Sequence, residues 1–557
     1  MFTRTSHGWK RVLGLAASLS LALVAPACGK DDGGGSTTTE PDDSGDAGTT
    51  VDVIVFELTL RIVLPLNQGN LFDDVAQLDV VVNQAGAEVA RYSMDALQRG
   101  EVGRGGEGLP ELEDATIVLE GFDAAGTLVA FGESAPVTIL DGEEAEAHIF
   151  VARTDAFGWL YNLTSGAFGT AVVADGTGDL LMFGGTALLR RGDSVYGQAY
   201  SSVRRLDLTR AEDGLAFSTV GSMPTFSTTL SDHGRAGHSA TRLGGTHDNR
   251  DLILVAGGST DFWDHTEVTT HAFLWDPTTD TVVDEDIALV EPTSHHLAVA
   301  DSAGNVVLSG GSSRYADNNT YSTHRVIHFF DGTTFEMQRL VQPSEEDNWI
   351  NHGAARFGDR GVLLCGGIRF ADDLATDVCG VVSTSGGYTG QAESGITLPS
   401  PVFHHSMVGL ADGSVLVTGG ATTDGTTFTT TNEAWLLDPT GTTWTSVGPM
   451  HMNRALHAMT LLPDGRVLVV GGLASLGSMF WEGDAAVACA EVFNPELQDF
   501  TEVGSCTVDS ADGALPGPVA IPAVTTDPAR GIAVVVGGLN RSNEGGTGVA
   551  IYMPPGD

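Results

Sequence analysis

One phrase returns seven times between about residue 165 and the end of the chain. It reads GTAVVADGTGDLLMFGG, then HSATRLGGTHDNRDLILVAGG, HHLAVADSAGNVVLSGG, HGAARFGDRGVLLCGG, HHSMVGLADGSVLVTGG, HAMTLLPDGRVLVVGG and AVTTDPARGIAVVVGG. The glycine pairs begin at Gly184, Gly257, Gly310, Gly366, Gly419, Gly471 and Gly537, and four of the six intervals fall within 52–56 residues. Self-similarity at a fixed period of this length is the mark of a repeat architecture. Each phrase is an apolar strand, a polar turn, a second apolar strand and the glycine pair. That is a β-hairpin whose exit needs positive φ or close backbone approach. A third strand follows, ending in turns such as Asp276-Pro277, Asp438-Pro439 and Asn494-Pro495. A fourth carries an aromatic and then Val-Gly, at Phe217, Trp444 and Phe500. Four antiparallel strands per repeat, closed in a ring, make a propeller blade.

The expected fold class is therefore all-β: a seven-bladed β-propeller over 154–557, preceded by a small β-sandwich. The seventh repeat stops after its third strand, GVAIYMPPGD, while GWLYNLTSG stands just before the first repeat with Trp159 in the aromatic place. Residues 158–164 are expected to complete the last blade. Residues 51–153 hold alternating, β-branched runs broken by NQAG and DAAG turns. About 100 such residues suit one Ig-like or transthyretin-like β-sandwich. Residues 28–50, rich in Gly, Ser, Thr and Asp without apolar periodicity, read as a flexible tether.

The first 27 residues read as a targeting segment. Arg4, Lys10 and Arg11 precede an apolar run from Val12 to Val24, too short to span a bilayer. Ala25-Pro26-Ala27-Cys28 then resembles the lipobox of bacterial lipoproteins. The resemblance implies lipidation of Cys28, export, and a place on the outer membrane or cell surface. Ordinary cleavage after Ala27 is the alternative. The other four cysteines form two close pairs, Cys365/Cys379 and Cys489/Cys506, each within one repeat. In an exported protein an even remainder suggests disulfides, with buried free thiols as the alternative.

The Gly doublets in phase, Arg235-x-x-His238, Arg454-x-x-His457, the Asp-Pro turns and the strand-four aromatics resemble kelch-repeat propellers, including the kelch-like domain of galactose oxidase. That family's copper site uses two His and two Tyr, one Tyr directly preceding a His. Here His238, His296, His352, His405 and His457 recur in phase, but Gly237, His295, Asn351, His404 and Leu456 precede them. No Tyr stands there, so no copper site, other metal or cofactor is expected. The ring histidines read first as repeat-internal hydrogen-bonding groups, and second as a metal set.

Function then falls to the loops after the glycine pairs. They carry Tyr196, Phe262, Trp263, Tyr315, Tyr321, Phe370, Phe428, Phe480 and Trp481. Aromatics on propeller loops stack on sugars or anchor peptides; the alternative is that they fold back over blade edges. The net charge of -45 argues against nucleic acid, and leaves the N-terminal lipid as the membrane contact. The expectation is a monomeric, non-enzymatic binding or scaffolding protein for a glycan, a peptide or an envelope protein. The alternatives are an extracellular enzyme of galactose-oxidase-like or hydrolase type, and a structural envelope or adhesion component.

Overall fold

The computed structural model describes residues 50–555, apart from 56–57, 70, 96–110, 141–144, 161, 164, 176–179, 188, 192–193, 197–198, 208–216, 227–233, 245–249, 261–267, 315–320, 324–325, 340–348, 370–373, 390–393, 478–484, 507–513 and 543–544. Residues 1–27, with the targeting segment, and the tether with Cys28 lie outside the described residues.

Seven four-stranded antiparallel sheets follow one another among the described residues. Their second strands are Leu180–Phe183, Ile253–Ala256, Val306–Ser309, Val362–Cys365, Val415–Thr418, Val467–Val470 and Ile532–Val536. These are continuous apolar runs, and nearly every residue in them is buried. A strand reads this way when both its faces are covered. Side chains alternate between the faces, and here each face meets a different neighbour. Leu181 and Phe183 share a core with Ile253 and Val255 of the next sheet. Leu180 and Met182 share one with Val534 and Val536 of the last. Leu254 and Ala256 then pack on Val306 and Leu308, and the pattern continues to the junction of the sixth and seventh sheets. The first strands, such as Ser239–Arg242 and Ala458–Leu461, are half-buried, and each adjoins the first strand of the next sheet all the way around. The sheets therefore close into a ring, the arrangement of a β-propeller, and are called blades one to seven below.

The glycine pairs sit at the blade junctions. Both members have positive φ in every blade, for example 64° and 96° at Gly257 and Gly258, and 58° and 96° at Gly419 and Gly420. The second glycine donates its N–H to a carbonyl of the next blade: Gly185 to Arg235 (2.9 Å), Gly258 to Thr293 (2.8 Å), Gly367 to Val402 (2.8 Å), Gly420 to Arg454 (2.8 Å), Gly472 to Val519 (2.8 Å) and Gly538 to Ala167 (2.9 Å). A Cβ on the first glycine would overlap that same carbonyl in these six blades, and in four of them it would also press on a histidine ring of the next blade; in blade three Gly310 meets the His352 ring alone. Only glycine supplies both the left-handed conformation and the missing side chain.

The last blade is assembled from both ends of the described chain. Ala156–Trp159 pairs antiparallel with Val549–Met553, matching Ala156 to Met553 and Trp159 to Ala550. The joining strand thus starts two residues ahead of the expected 158–164 and ends at Trp159. Beyond it the contact continues as single backbone bonds, Leu160 to Val549 (3.0 Å) and Leu163 to Thr547 (2.8 Å). The Trp159 indole donates to the Ala514 carbonyl at 2.9 Å.

Ahead of the ring, two sheets share one apolar core. One holds Thr50–Val55, Leu58–Val63 and Ala145–Phe150, the last two parallel. The other is built on Gln77–Gln84 and Leu112–Phe122. Leu58, Leu60 and Ile62 meet Val80, Val82, Ile117 and Leu119 in the core. The run VDVIVFELTLRIV holds two antiparallel strands. Val63, Phe150 and Ala152 of this module enter the core between blades one and seven.

Two substitutions separate the roles of the glycines. Gly465 has φ of 84° and open space for a Cβ, whereas Gly419 faces the Arg454 carbonyl and the His457 ring. Gly465→Ala is expected to cost about 1–2 kcal/mol, the left-handed penalty alone. Gly419→Ala is expected to cost about 3 kcal/mol or more, because a blade junction must also open. Denaturant midpoints at constant m-value report the difference.

Candidate functional site

The glycine-pair end of the ring carries a collar around its axis. The residue two positions before each first strand is in the left-handed region in all seven blades: Gly169 (62°), Gly237 (65°), His295 (59°), Asn351 (58°), His404 (53°), Leu456 (57°) and Ile521 (50°). Consecutive members are joined by backbone bonds. Gly237 donates to Gly169 (2.9 Å), His295 to Gly237 (2.7 Å), His404 to Asn351 (2.9 Å), Leu456 to His404 (2.9 Å) and Ile521 to Leu456 (2.9 Å). Positive φ is costly for a β-branched or bulky residue, so the ring imposes it on Ile521 and Leu456. Beneath the collar lies an apolar layer of Phe168, Ala236, Phe403, Ala455 and Ala520. The collar itself is uneven: His295, Asn351 and His404 form a polar arc over blades three to five, blades six and seven present Leu456 and Ile521, and blades one and two present glycine. His295 Nδ1 lies 3.0 Å from Ser294 Oγ, and the His404 ring sits 5.0 Å from Phe403. His404 is buried and His295 and Asn351 are half-buried, so the partly exposed polar residues of the arc are His295 and Asn351. Sequence reading had these residues in hand only as neighbours of the ring histidines. The signal that could have marked them is Gly169 and Gly237 at the same phase.

The ring histidines are displaced from the collar by one residue and serve the blade junctions. All five are buried. A Cβ on the preceding blade's first glycine would stand 3.0 Å from His238, 2.8 Å from His296, 2.6 Å from His352 and His405, and 2.9 Å from His457. Three reach back to a hydroxyl: His296 Nε2 to Ser239 (2.8 Å), His352 Nε2 to Ser309 (2.9 Å) and His457 Nε2 to Thr418 (2.8 Å). His238 and His405 face the backbone of Phe183 and Cys365. Burial pushes His238 and His405 down to about 3 and His352 down to about 4. His457 is also held well below the ordinary range by burial, and then by the Arg454 charge. Among the described residues the ring histidines form no group of three within metal-ligand reach of one another.

Two fully buried arginines brace the same junctions. Arg235 Nη1 donates to the carbonyls of Gly257 (3.1 Å) and His271 (3.0 Å), and its Nη2 lies 2.7 Å from His271 Nδ1. Its guanidinium sits 5.0 Å from the Phe226 ring and 5.2 Å from the Phe273 ring. Arg454 repeats the pattern on Gly471 (3.1 Å) and Cys489 (3.4 Å), and pairs with the fully buried Glu491. Both cysteine pairs are disulfides, Cys365–Cys379 and Cys489–Cys506. Cys365 closes a second strand and Cys379 opens a third, directly opposite each other. Cys489 lies one residue before its strand, Ala490–Asn494, rather than inside it.

The same end also bears extra hairpins between second and third strands. They are Leu189–Arg191 with Ser194–Tyr196, Ser312–Arg314 with Tyr321–Thr323, and Ala421–Thr423 with Phe428–Thr430. Tyr196, Tyr321 and Phe428 thus stand on hairpin strands. Phe428 is half-buried, edge-on to Phe403 at 6.0 Å, and so packs on the layer below the collar. Phe262, Trp263, Tyr315, Phe370, Phe480 and Trp481 lie outside the described residues.

No protein-family model matches the chain. No curated protein matches it either. Among solved structures, YjhT is similar at 13% identity and a TM-score of 0.40, over 62% of this chain and 99% of that one. A fungal alcohol oxidase of the AA5 family, in complex with copper, is similar at 16% identity and a TM-score of 0.48, over 72% of this chain and 77% of that one. At these values neither likeness bears on chemistry.

The buried histidines set a pH dependence. A free imidazole titrates near about 6.5, so between about pH 6.5 and 4 the unfolded chain holds protons that the folded ring refuses. Stability present above that range is lost on acidification. His352→Gln is expected to remove about one proton of uptake on unfolding near pH 5. The slope of unfolding free energy against pH measures it, and an unchanged slope would contradict the assignment.

Proposed function

We propose that this chain is a surface-anchored binding or scaffolding protein. In this reading a seven-bladed, kelch-type propeller stands behind a small β-sandwich, is tethered through a lipid on Cys28, and recognises a glycan, a peptide or an envelope protein. The observation that carries the reading is the crowding of one end of the ring. Three added hairpins leave the blades there, next to a collar with a polar arc of His295, Asn351 and His404. Loops on a rigid scaffold are where recognition is placed. The two disulfides suit an exported protein. No helix among the described residues is long and apolar enough to cross a membrane.

The net charge of -45 favours ligands that are neutral or basic. Aromatic side chains beside polar ones suit a sugar face or an aromatic peptide anchor. A glycan array and a pull-down from envelope extracts test the reading, with Trp263→Ala, Trp481→Ala and Asn351→Ala variants alongside the parent. Binding that falls at least tenfold in the loop variants, at unchanged thermal stability, is the expected result. Binding unaffected by all three would remove this end as the recognition surface. Stoichiometric copper or zinc in the purified protein would favour the enzymatic alternative instead.

A further inference from the structure

The two disulfides differ in what faces them. For Cys365–Cys379 the polar contact to a sulfur is the Asp377 carbonyl, 3.9 Å from Cys379 Sγ. Cys489–Cys506 lies against a cation. Arg454 Nη2 is 3.0 Å from Cys489 Sγ and 3.9 Å from Cys506 Sγ. That guanidinium is fully buried and held by the carbonyls of Gly471 and Cys489. Junction bracing accounts for those carbonyl bonds, since Arg235 makes the same ones in blade two. It does not call for a sulfur beneath Nη2, where blade two has the His271 ring.

We propose that Cys489–Cys506 is a redox-active disulfide, opened by a dithiol reductant at Cys506 with Cys489 as the leaving group. Cys506 is the more exposed sulfur-bearing residue, at 8% against 0% for Cys489. A reductant thiolate attacks Cys506 Sγ and forms a mixed disulfide. The Cys489–Cys506 bond breaks, and its electron pair leaves on Cys489 Sγ as a thiolate that accepts the Arg454 N–H. The second thiolate of the reductant then attacks its own sulfur in the mixed disulfide and releases Cys506. The protein gains two electrons and the dithiol becomes a disulfide. Of its two protons, one ends on Cys506 and one in solvent. A better-stabilised leaving thiolate makes a disulfide easier to reduce.

Among the described residues other charged or titratable groups also face this pocket, and the buried His457 is one, held below its ordinary range first by burial and then by the Arg454 charge. Glu491 is fully buried and bonded to Arg454, and it opposes a thiolate. Its second oxygen accepts from the His451 N–H (2.7 Å) and lies 2.9 Å from His451 Nδ1. Glu502 stands opposite Glu491 on the neighbouring strand.

The test uses the full chain equilibrated in graded dithiol/disulfide buffers. Free thiols are trapped by alkylation, and each pair is read by peptide mass spectrometry. Cys489–Cys506 is expected to open at a reducing ratio at least tenfold lower than Cys365–Cys379. In the reduced protein Cys489 is expected to alkylate faster than Cys365 or Cys379 below pH 8. Arg454→Met is expected to abolish both differences. Glu491→Gln is the second arm, which keeps the test decisive where Arg454→Met does not fold: with the opposing anion gone, the pair is expected to open more easily still. Both pairs opening at one ratio, or a Glu491→Gln protein whose pair opens no more easily, would overturn the proposal.

Discussion

The ring rests on one repeated hydrogen bond, from the N–H of a second glycine to a carbonyl of the next blade. Four-stranded sheets with apolar side chains on both faces do not persist alone, because each must bury two surfaces. The bond sets how closely and at what angle neighbouring sheets approach, and the cores between blades then fill that spacing. In six blades the first glycine of the pair has no side chain because the accepting carbonyl stands where a Cβ would go, and in blade three the His352 ring stands there. The second has none because the same blade's backbone, and in four blades its ring histidine, lies beneath it. At five junctions a histidine of the following blade fills the remaining gap, and burial disfavours the charged form of His238, His352, His405 and His457. A highly acidic chain repels itself, and contacts repeated around a closed ring hold against that repulsion.

Much of this was legible in the sequence because each constraint acts on residue type. The glycine pairs, the apolar second strands and the paired cysteines all repeat in register, and period-2 burial on two faces reads as an unbroken apolar run. What stayed hidden depends on backbone conformation where residue type is free. The collar is such a case: the left-handed state is forced on His295, Leu456 and Ile521 by ring geometry, so nothing in their identities announces it. The joining strand overlaps the expected 158–164 only at Gly158 and Trp159, because Trp159 carried the aromatic signal while Ala156 and Phe157 carried none. Of the nine aromatic loop residues, Phe428 half-buries its side chain against Phe403.

Blades two and six solve one problem in two ways. Each buries an arginine over the carbonyl of its own first glycine, and each must compensate the charge. Blade two uses His271 and two phenylalanine rings, and burial pushes Arg235 down to about 9. Blade six uses Glu491, and brings a disulfide into contact with the guanidinium. The same scaffold position thus carries structural bracing in one blade and the means for thiol chemistry in the other. The collar and hairpins at this end are built on these braced junctions, so a ligand bound there would meet a rigid base.

The most direct measurement is hydrogen exchange at the second glycines, followed by mass spectrometry of short peptides covering Gly185, Gly258, Gly367, Gly420, Gly472 and Gly538. If the inter-blade bond holds the ring closed, these amides exchange as slowly as the second strands, and all through one opening event. Gly538, which joins the last blade to the first, is then as protected as the rest. Exchange at these glycines well ahead of the strands, or at Gly538 alone while the others stay protected, would contradict the account.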